Sequence, residues 1–430
     1  MCRRSIAGHH SHHHPRDASE PWGGKRTMRG DIVIVDYADL ASTSSSASAS
    51  LLSSLSEAFG SSDSKGIVAI RNVPGFVEAR DAFLPSAHAL AHLPPKYLES
   101  ELTDERSLYN AGWSRGKERL GGADKKPDLS KGSFYFNPLT DEPGTAEDRA
   151  RYPASYPRNV WPTDDDGGDT IIPGFEGRAK ALGRIMRGAV VALAGRIDAF
   201  AAVRAEERGS SSAEYPANLL GDAMRNTDKA KGRLLYYFPL DDGDGGNGGG
   251  GGKEDNPPQP PAEDSWIGWH NDSGFLTALA GDIYVDHETG RILDKSEVDQ
   301  EAGLYAVDRT GKSVKVDIPD DCMAVQIGEC TQIVTGGAVI ATPHCVRASR
   351  APGVARISCP CFIDAPPGFP LRSPGGAASR GAALDVGLGK DRVPPLSDRW
   401  TEEGMTFGDF LAKTFGMYYD RTAEEEGKEG

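Results

Sequence analysis

The sequence predicts a mainly β fold with helical support, a sandwich or barrel of strands backed by helices. Two observations carry this. From Arg233 onward, roughly eight short β-branched runs follow one another, separated by Gly, Pro, Asn and Asp. Ahead of them lie helix-patterned segments, an order that fits a packed sheet with helical cover better than alternating βαβ units. The 430 residues also suffice for a large core without disulfide or metal staples.

Taken in order, residues 1–29 form a tail. It carries His9, His10, His12, His13 and His14 with few apolar residues, too little to build a core. Arg3, Arg4 and several serines, with no acidic residue before Asp17, also leave a weak organelle transit peptide open; the apolar stretch of a secretory signal is missing. Residues 30–225 read as a helical and sheet region. Ile32–Asp36 and Gly66–Val73 are short strands, and Asp81–His92 and Phe175–Val203 are helices. In the longer helix, Leu182, Ile185, Ala189, Leu193, Ile197 and Phe200 recur at three- and four-residue steps and mark one buried stripe.

Residues 226–420 read as the β core. Its expected strands are Leu234–Phe238, Leu276–Val285, Leu304–Val307, Val314–Ile318, Met323–Ile327, Ile333–Thr335, Val339–Ala341 and Arg356–Ile363, with a hairpin turn at Arg309–Gly311. The Gly- and Pro-rich stretch 243–262 cannot bury apolar surface and is expected as a solvated loop.

Charge narrows the partners. A net charge of −15 argues against nucleic acid and anionic membrane surfaces, and no run of about 18 apolar residues marks a transmembrane helix. The six cysteines show no extracellular spacing, so a reduced, cytoplasmic protein is expected, and a monomer acting on a small molecule.

His270-Asn-Asp272 is an H-x-D on an expected strand edge, where alternate residues share a face and can meet one ion. His344 follows a Thr-Pro step at the start of another strand, and Arg356-Ile-Ser358 again places two polar groups on one face. Two histidines and a carboxylate form a facial triad for non-haem Fe(II), with positions left for a chelating co-substrate and O₂. A keto acid's distal carboxylate needs a planar cation and a hydroxyl, which Arg356 and Ser358 supply.

With these motifs in hand, the chain resembles the 2-oxoglutarate/Fe(II)-dependent dioxygenases of the isopenicillin N synthase-like branch. His270, Asp272, Gly274, Leu276, Thr277 and Leu279 match the pattern H-x-D-x-G-x-L-T-x-L, and His344, Arg356 and Ser358 follow in the family's order. The resemblance extends to Ile32–Asp36 and Gly66–Pro74 as opening strands. Lys131–Pro138 and the Tyr156–Phe175 stretch resemble substrate-side loops. It implies a double-stranded β-helix (jelly roll) with an amino-terminal α/β extension. It also implies Fe(II), 2-oxoglutarate and O₂ as cofactors, and hydroxylation, desaturation or cyclisation of a small organic substrate with release of succinate and CO₂. Where the family often has a co-substrate tyrosine before H-x-D, this chain has Phe238, leaving Tyr237 or Tyr236 for that contact. A keto-acid-free oxidase of the same fold, or a catalytically silent jelly-roll binding module, are the alternatives.

The remaining chemistry-bearing residues read as structure. His88 and His92 have zinc spacing but lack the Glu of H-E-x-x-H, and His287 belongs to a turn. Cys359 and Cys361, on alternate strand positions, are expected in the core. Trp266 and Trp269 flank the site as packing or as substrate-stacking surfaces.

Overall fold

The computed structural model describes residues 29–30, 32–42, 48–60, 64–117, 127–163, 171–209, 215–240, 266–308, 310–384 and 393–418. Nearly all of the tail 1–29, the whole stretch 243–262 and Arg309 of the expected turn lie outside the described residues.

Thirteen strands among the described residues form two main sheets. In chain order they are β1 (Arg29–Gly30), β2 (Ile34–Asp36), β3 (Ile67–Arg71), β4 (Gly112–Arg115), β5 (Lys131–Phe136), β6 (Ala230–Tyr237) and β7 (Ile267–His270). They continue as β8 (Leu276–Asp286), β9 (Gly303–Val307), β10 (Ser313–Val316), β11 (Cys322–Ile327), β12 (His344–Arg347) and β13 (Val354–Ile363). The larger sheet runs β2-β3-β11-β8-β13-β6-β5-β4, and the smaller runs β1-β10-β9-β12-β7. Strands from the amino-terminal half therefore extend the large sheet at both of its edges.

Central strands such as β11 and β5 are buried along their whole length. One face of the large sheet takes the helix Phe175–Glu207, whose Leu182, Ala189, Leu193, Ile197 and Phe200 sit in the main core as the periodicity predicts, while Ile185 is only partly buried and Met186 is buried beside it. Burial on both faces explains why β11 reads as a nearly continuous apolar run and not as an alternating one.

Several expectations require correction. Ile333–Thr335 is no strand: Glu329–Val334 is a fully buried helix that ends at Thr335. Its β-branched residues favour strands only weakly, and tertiary packing overrides that preference. Val339–Ala341 is irregular. It follows Gly336 and Gly337 at φ +57° and +71°, which break the extended run, and Ala341 N–H donates to the Gln332 side chain. The helix expected over Asp81–His92 is two helices, Phe76–Phe83 and Ser86–Ala91, divided at Pro85, which has no N–H to continue the ladder.

Lys131–Phe136, likened to a loop, is instead strand β5 beside β6. Its Phe134 and Phe136 pack with Trp161 and Phe175 in one aromatic cluster. Both stretches likened to substrate-side loops thus contribute core.

Candidate active site

A cavity of about 780 Å³ lies between the sheets, lined from both by His270, Asp272, His344, Arg356 and Ser358 among others. Strand register assembles it. β12 pairs antiparallel with β7 so that His344 stands directly opposite His270, and the two ring centroids are 4.2 Å apart. Asp272 lies two residues beyond the end of β7 and not on it, which differs from the expected strand placement of the whole H-x-D. The loop turns its carboxylate inward, with Oδ1 3.9 Å from His344 Nε2. One ligand atom from each of the three residues lies within 4.8 Å of the others.

The rings are oriented by their outer nitrogens. His270 Nδ1 is 2.8 Å from the Gly268 carbonyl. His344 Nδ1 is 2.6 Å from the Gln326 side-chain amide and 3.2 Å from the Thr342 carbonyl. A carbonyl at Nδ1, Gly268 for His270 and Thr342 for His344, takes the Nδ1 proton and leaves Nε2 as the inward lone pair, the arrangement that fixes metal-binding imidazoles. Burial and the neighbouring His344 push the His270 pKa down to about 3, so its ring is neutral at pH 7. Asp272 Oδ2 is buried with no hydrogen-bond partner. An orphaned carboxylate oxygen beside two imidazoles is the donor set that a divalent first-row metal satisfies, so the residues fit the ion.

The anchor residues lie on β13. Arg356 is opposite Tyr237 of β6 and Tyr284 of β8, while Ser358 is opposite Leu235 and Asp282. Arg356 and Ser358 are both buried. Arg356 Nε donates to Asp282 Oδ2 at 2.7 Å, Nη1 is 3.5 Å from Ser358 Oγ, and its carbon lies 4.9 Å from the Tyr237 ring centroid. Burial is the largest influence and opposes the arginine's charge, but Asp282, Tyr237 and Tyr284 together outweigh it and hold the pKa above its ordinary value. Burial, then Asp282, raises the Tyr284 pKa well above normal, so its hydroxyl stays protonated.

Of the two tyrosines left open by sequence, Tyr237 lines the cavity. Tyr236 is displaced by the two-residue period of the strand: its hydroxyl lies 2.8 Å from His287 Nδ1, on the other face. His88, His92 and His287 cluster there, with His88 Nε2 at the His287 carbonyl and the His88 and His92 rings 4.1 Å apart. Trp266 is buried, packs 5.3 Å from the Tyr237 ring and donates to the Phe238 carbonyl; neither it nor Trp269 is among the described residues lining the cavity. Cys359 and Cys361 are buried, and burial drives both thiol pKa values upward.

Sequence reasoning missed Asp282, Tyr284 and Gln326. A signal existed for Gln326, a lone polar residue inside an otherwise apolar strand run, and for Asp282, a charge in the interior of β8.

No protein-family model matches the chain, and no curated protein matches it in sequence. Solved structures do match in fold. A protein from Caulobacter crescentus described as a 2OG-Fe(II) oxygenase family member superposes with TM-score 0.54 at 19% identity, covering 89% of this chain and 97% of that one. A full-length Neurospora crassa protein in complex with alpha-KG gives TM-score 0.53 at 17% identity, over 89% and 94% of the two chains. JOX2 in complex with 2OG, Fe and JA gives 0.54 at 16%, over 90% and 86%. The expected jelly roll is borne out: this chain has the fold of the 2OG-Fe(II) oxygenases.

Proposed function

We propose that the protein is an Fe(II)- and 2-oxoglutarate-dependent oxygenase acting on a small organic molecule, of the isopenicillin N synthase-like branch. One observation carries the reading. A His270–Asp272–His344 set with an unpartnered carboxylate oxygen shares one cavity with the Arg356–Ser358 pair. His270, Asp272 and His344 would hold the iron, which when bound activates O₂ for oxidation of an unactivated C–H bond.

The chain's own groups supply the rest. Arg356 accepts the distal carboxylate of 2-oxoglutarate at the nitrogens that Asp282 leaves available, with Ser358 Oγ beside Nη1 as a second donor. Tyr237 backs the guanidinium with its ring. The Gly268 and Thr342 carbonyls keep the two imidazoles in one tautomer, and Gln326 at His344 Nδ1 restrains the orientation of that ring. Apolar residues such as Leu235, Ile267, Leu304 and Val346 line the cavity and limit water.

The neighbours' ligands, thymine for the Neurospora crassa protein and JA for JOX2, support a small-molecule substrate here too. A cytoplasmic setting is supported by the five free, buried cysteines Cys322, Cys330, Cys345, Cys359 and Cys361; no helix of the described residues is long and apolar enough to cross a membrane.

The test is succinate release from 2-oxoglutarate by iron-loaded protein against pooled small metabolites, with His344→Ala beside it. Succinate released by wild type and none by the variant is expected. Full iron stoichiometry and unchanged turnover in His344→Ala would refute the triad. Iron binding without any 2-oxoglutarate turnover would favour the keto-acid-free oxidase.

A further inference from the structure

The residue between two of the proposed ligands is held from outside the cavity by groups drawn from distant parts of the chain. Asn271 donates through Nδ2 to Glu329 Oε1 at 3.0 Å. Glu329 and Arg399 are 1% and 0% exposed, and the guanidinium grips the carboxylate with both terminal nitrogens, Nη2 at 2.6 Å from Oε1. Arg399 is itself fixed by the Pro394 and Pro395 carbonyls and lies 5.5 Å from the Phe410 ring centroid. The helix Glu329–Val334 adds backbone ties. Its first N–H groups have no acceptor within the helix, and those of Gly328, Glu329 and Cys330 donate to the carbonyls of Phe275, Asp272 and Gly274 at 2.8, 2.8 and 3.0 Å.

The side chain of Asn271 is not what packing alone would select. Its Oδ1 is buried without a partner, an acceptor that an apolar residue of the same size would not strand. Reversing the amide would set that oxygen against the Glu329 carboxylate, so the charge of Glu329 fixes which way Asn271 points. Fixing Asn271 restrains the backbone that carries His270 on one side and Asp272 on the other.

We infer that Asn271 is a positioning residue for the metal, and that the buried Glu329–Arg399 pair is the fixed post from which it sets the aim of His270 and Asp272. The carboxy-terminal segment that delivers Arg399 is thereby part of the metal site's support. This rests on the metal reading above. Removing Glu329 or Arg399 leaves a buried charge unpaired, so those substitutions report on folding. Asn271→Leu removes the link and keeps the volume and the ion pair.

The experiment titrates metal-free protein with Co(II) alone, following its visible absorption, and records the metal-free melting temperature. Expected is at least a roughly tenfold loss of Co(II) affinity in Asn271→Leu, within the usual range for outer-shell partners. The melting temperature should hold, and Asn271→Gln, which keeps an amide donor, should recover part of the affinity. Equal Co(II) affinity in wild type and Asn271→Leu overturns the inference while leaving the triad standing. A weaker affinity accompanied by a collapsed metal-free melting temperature also overturns it, since the role is then structural. No Co(II) binding by wild type overturns both the inference and the metal reading.

Discussion

Arg356 sits buried with Asp282 on one side of its guanidinium and Ser358 on another, so an incoming carboxylate meets a fork already aimed. Charge-assisted bonds of this kind are worth about 1.5–3 kcal/mol each. Arg356→Ala should weaken 2-oxoglutarate by at least about 2 kcal/mol, roughly 30-fold, in an anaerobic titration of iron-loaded protein. Arg356→Lys should recover only part, because an ammonium lacks the planar fork, and iron binding should survive both changes. His270 carries the second prediction at this scale. Its pKa is pushed down to about 3 in the fold, against about 6.5 in the unfolded chain. Between those values the unfolded state binds more protons. Metal-free stability should therefore fall as pH drops from about 6.5 toward 3, by at most about 1.4 kcal/mol per pH unit from this group. Urea midpoints at pH 7 and 4.5 check it: His270→Gln should lose less stability than wild type over that interval.

The loop that follows β7 depends on close backbone approach. A Cβ on Gly274 would lie 2.2 Å from Asp364 Oδ1, and that same oxygen accepts the Phe275 N–H at 2.9 Å. Asp364 Oδ2 accepts from buried Lys229 at 3.0 Å, so the obstacle cannot swing aside without stranding a lysine. Gly274→Ala should cost about 1–3 kcal/mol in the urea-unfolding free energy, and Co(II) affinity should drop with it because Asp272 rides on the same loop. A variant as stable as wild type would show that Asp364 can yield. This is why the glycine of H-x-D-x-G reads in sequence as a motif letter, while its reason is a carboxylate ninety positions downstream in the chain.

At the scale of the whole molecule, the large sheet gathers strands from residue 34 to residue 363, so the helical and sheet region and the β core fold around shared hydrogen bonds. Residues 1–29 and 243–262 stand apart by composition, being His-, Gly- or Pro-rich and short of apolar side chains. Deleting both should leave a single cooperative unfolding transition and nearly unchanged 2-oxoglutarate turnover, measured by calorimetry and succinate release. Loss of cooperativity would mean that these stretches contribute to the core.

The sequence by itself determined the class of fold, the long helix with its buried stripe, and the placing of His270, Asp272, His344, Arg356 and Ser358 as one chemical set. Those features are periodic or local in sequence, or held as short motifs. Only the tertiary structure decided what depends on register and distance. It set Tyr237 and not Tyr236 beside Arg356, because adjacent strand residues face opposite ways. It made a helix of Glu329–Val334, whose opening N–H groups are satisfied by carbonyls of the segment after β7. It paired Asp282 with Arg356, Gln326 with His344 and Glu329 with Arg399. Each of those partners lies far away in the chain, and a hydrogen bond of about 3 Å is fixed by folding, with no local pattern to announce it.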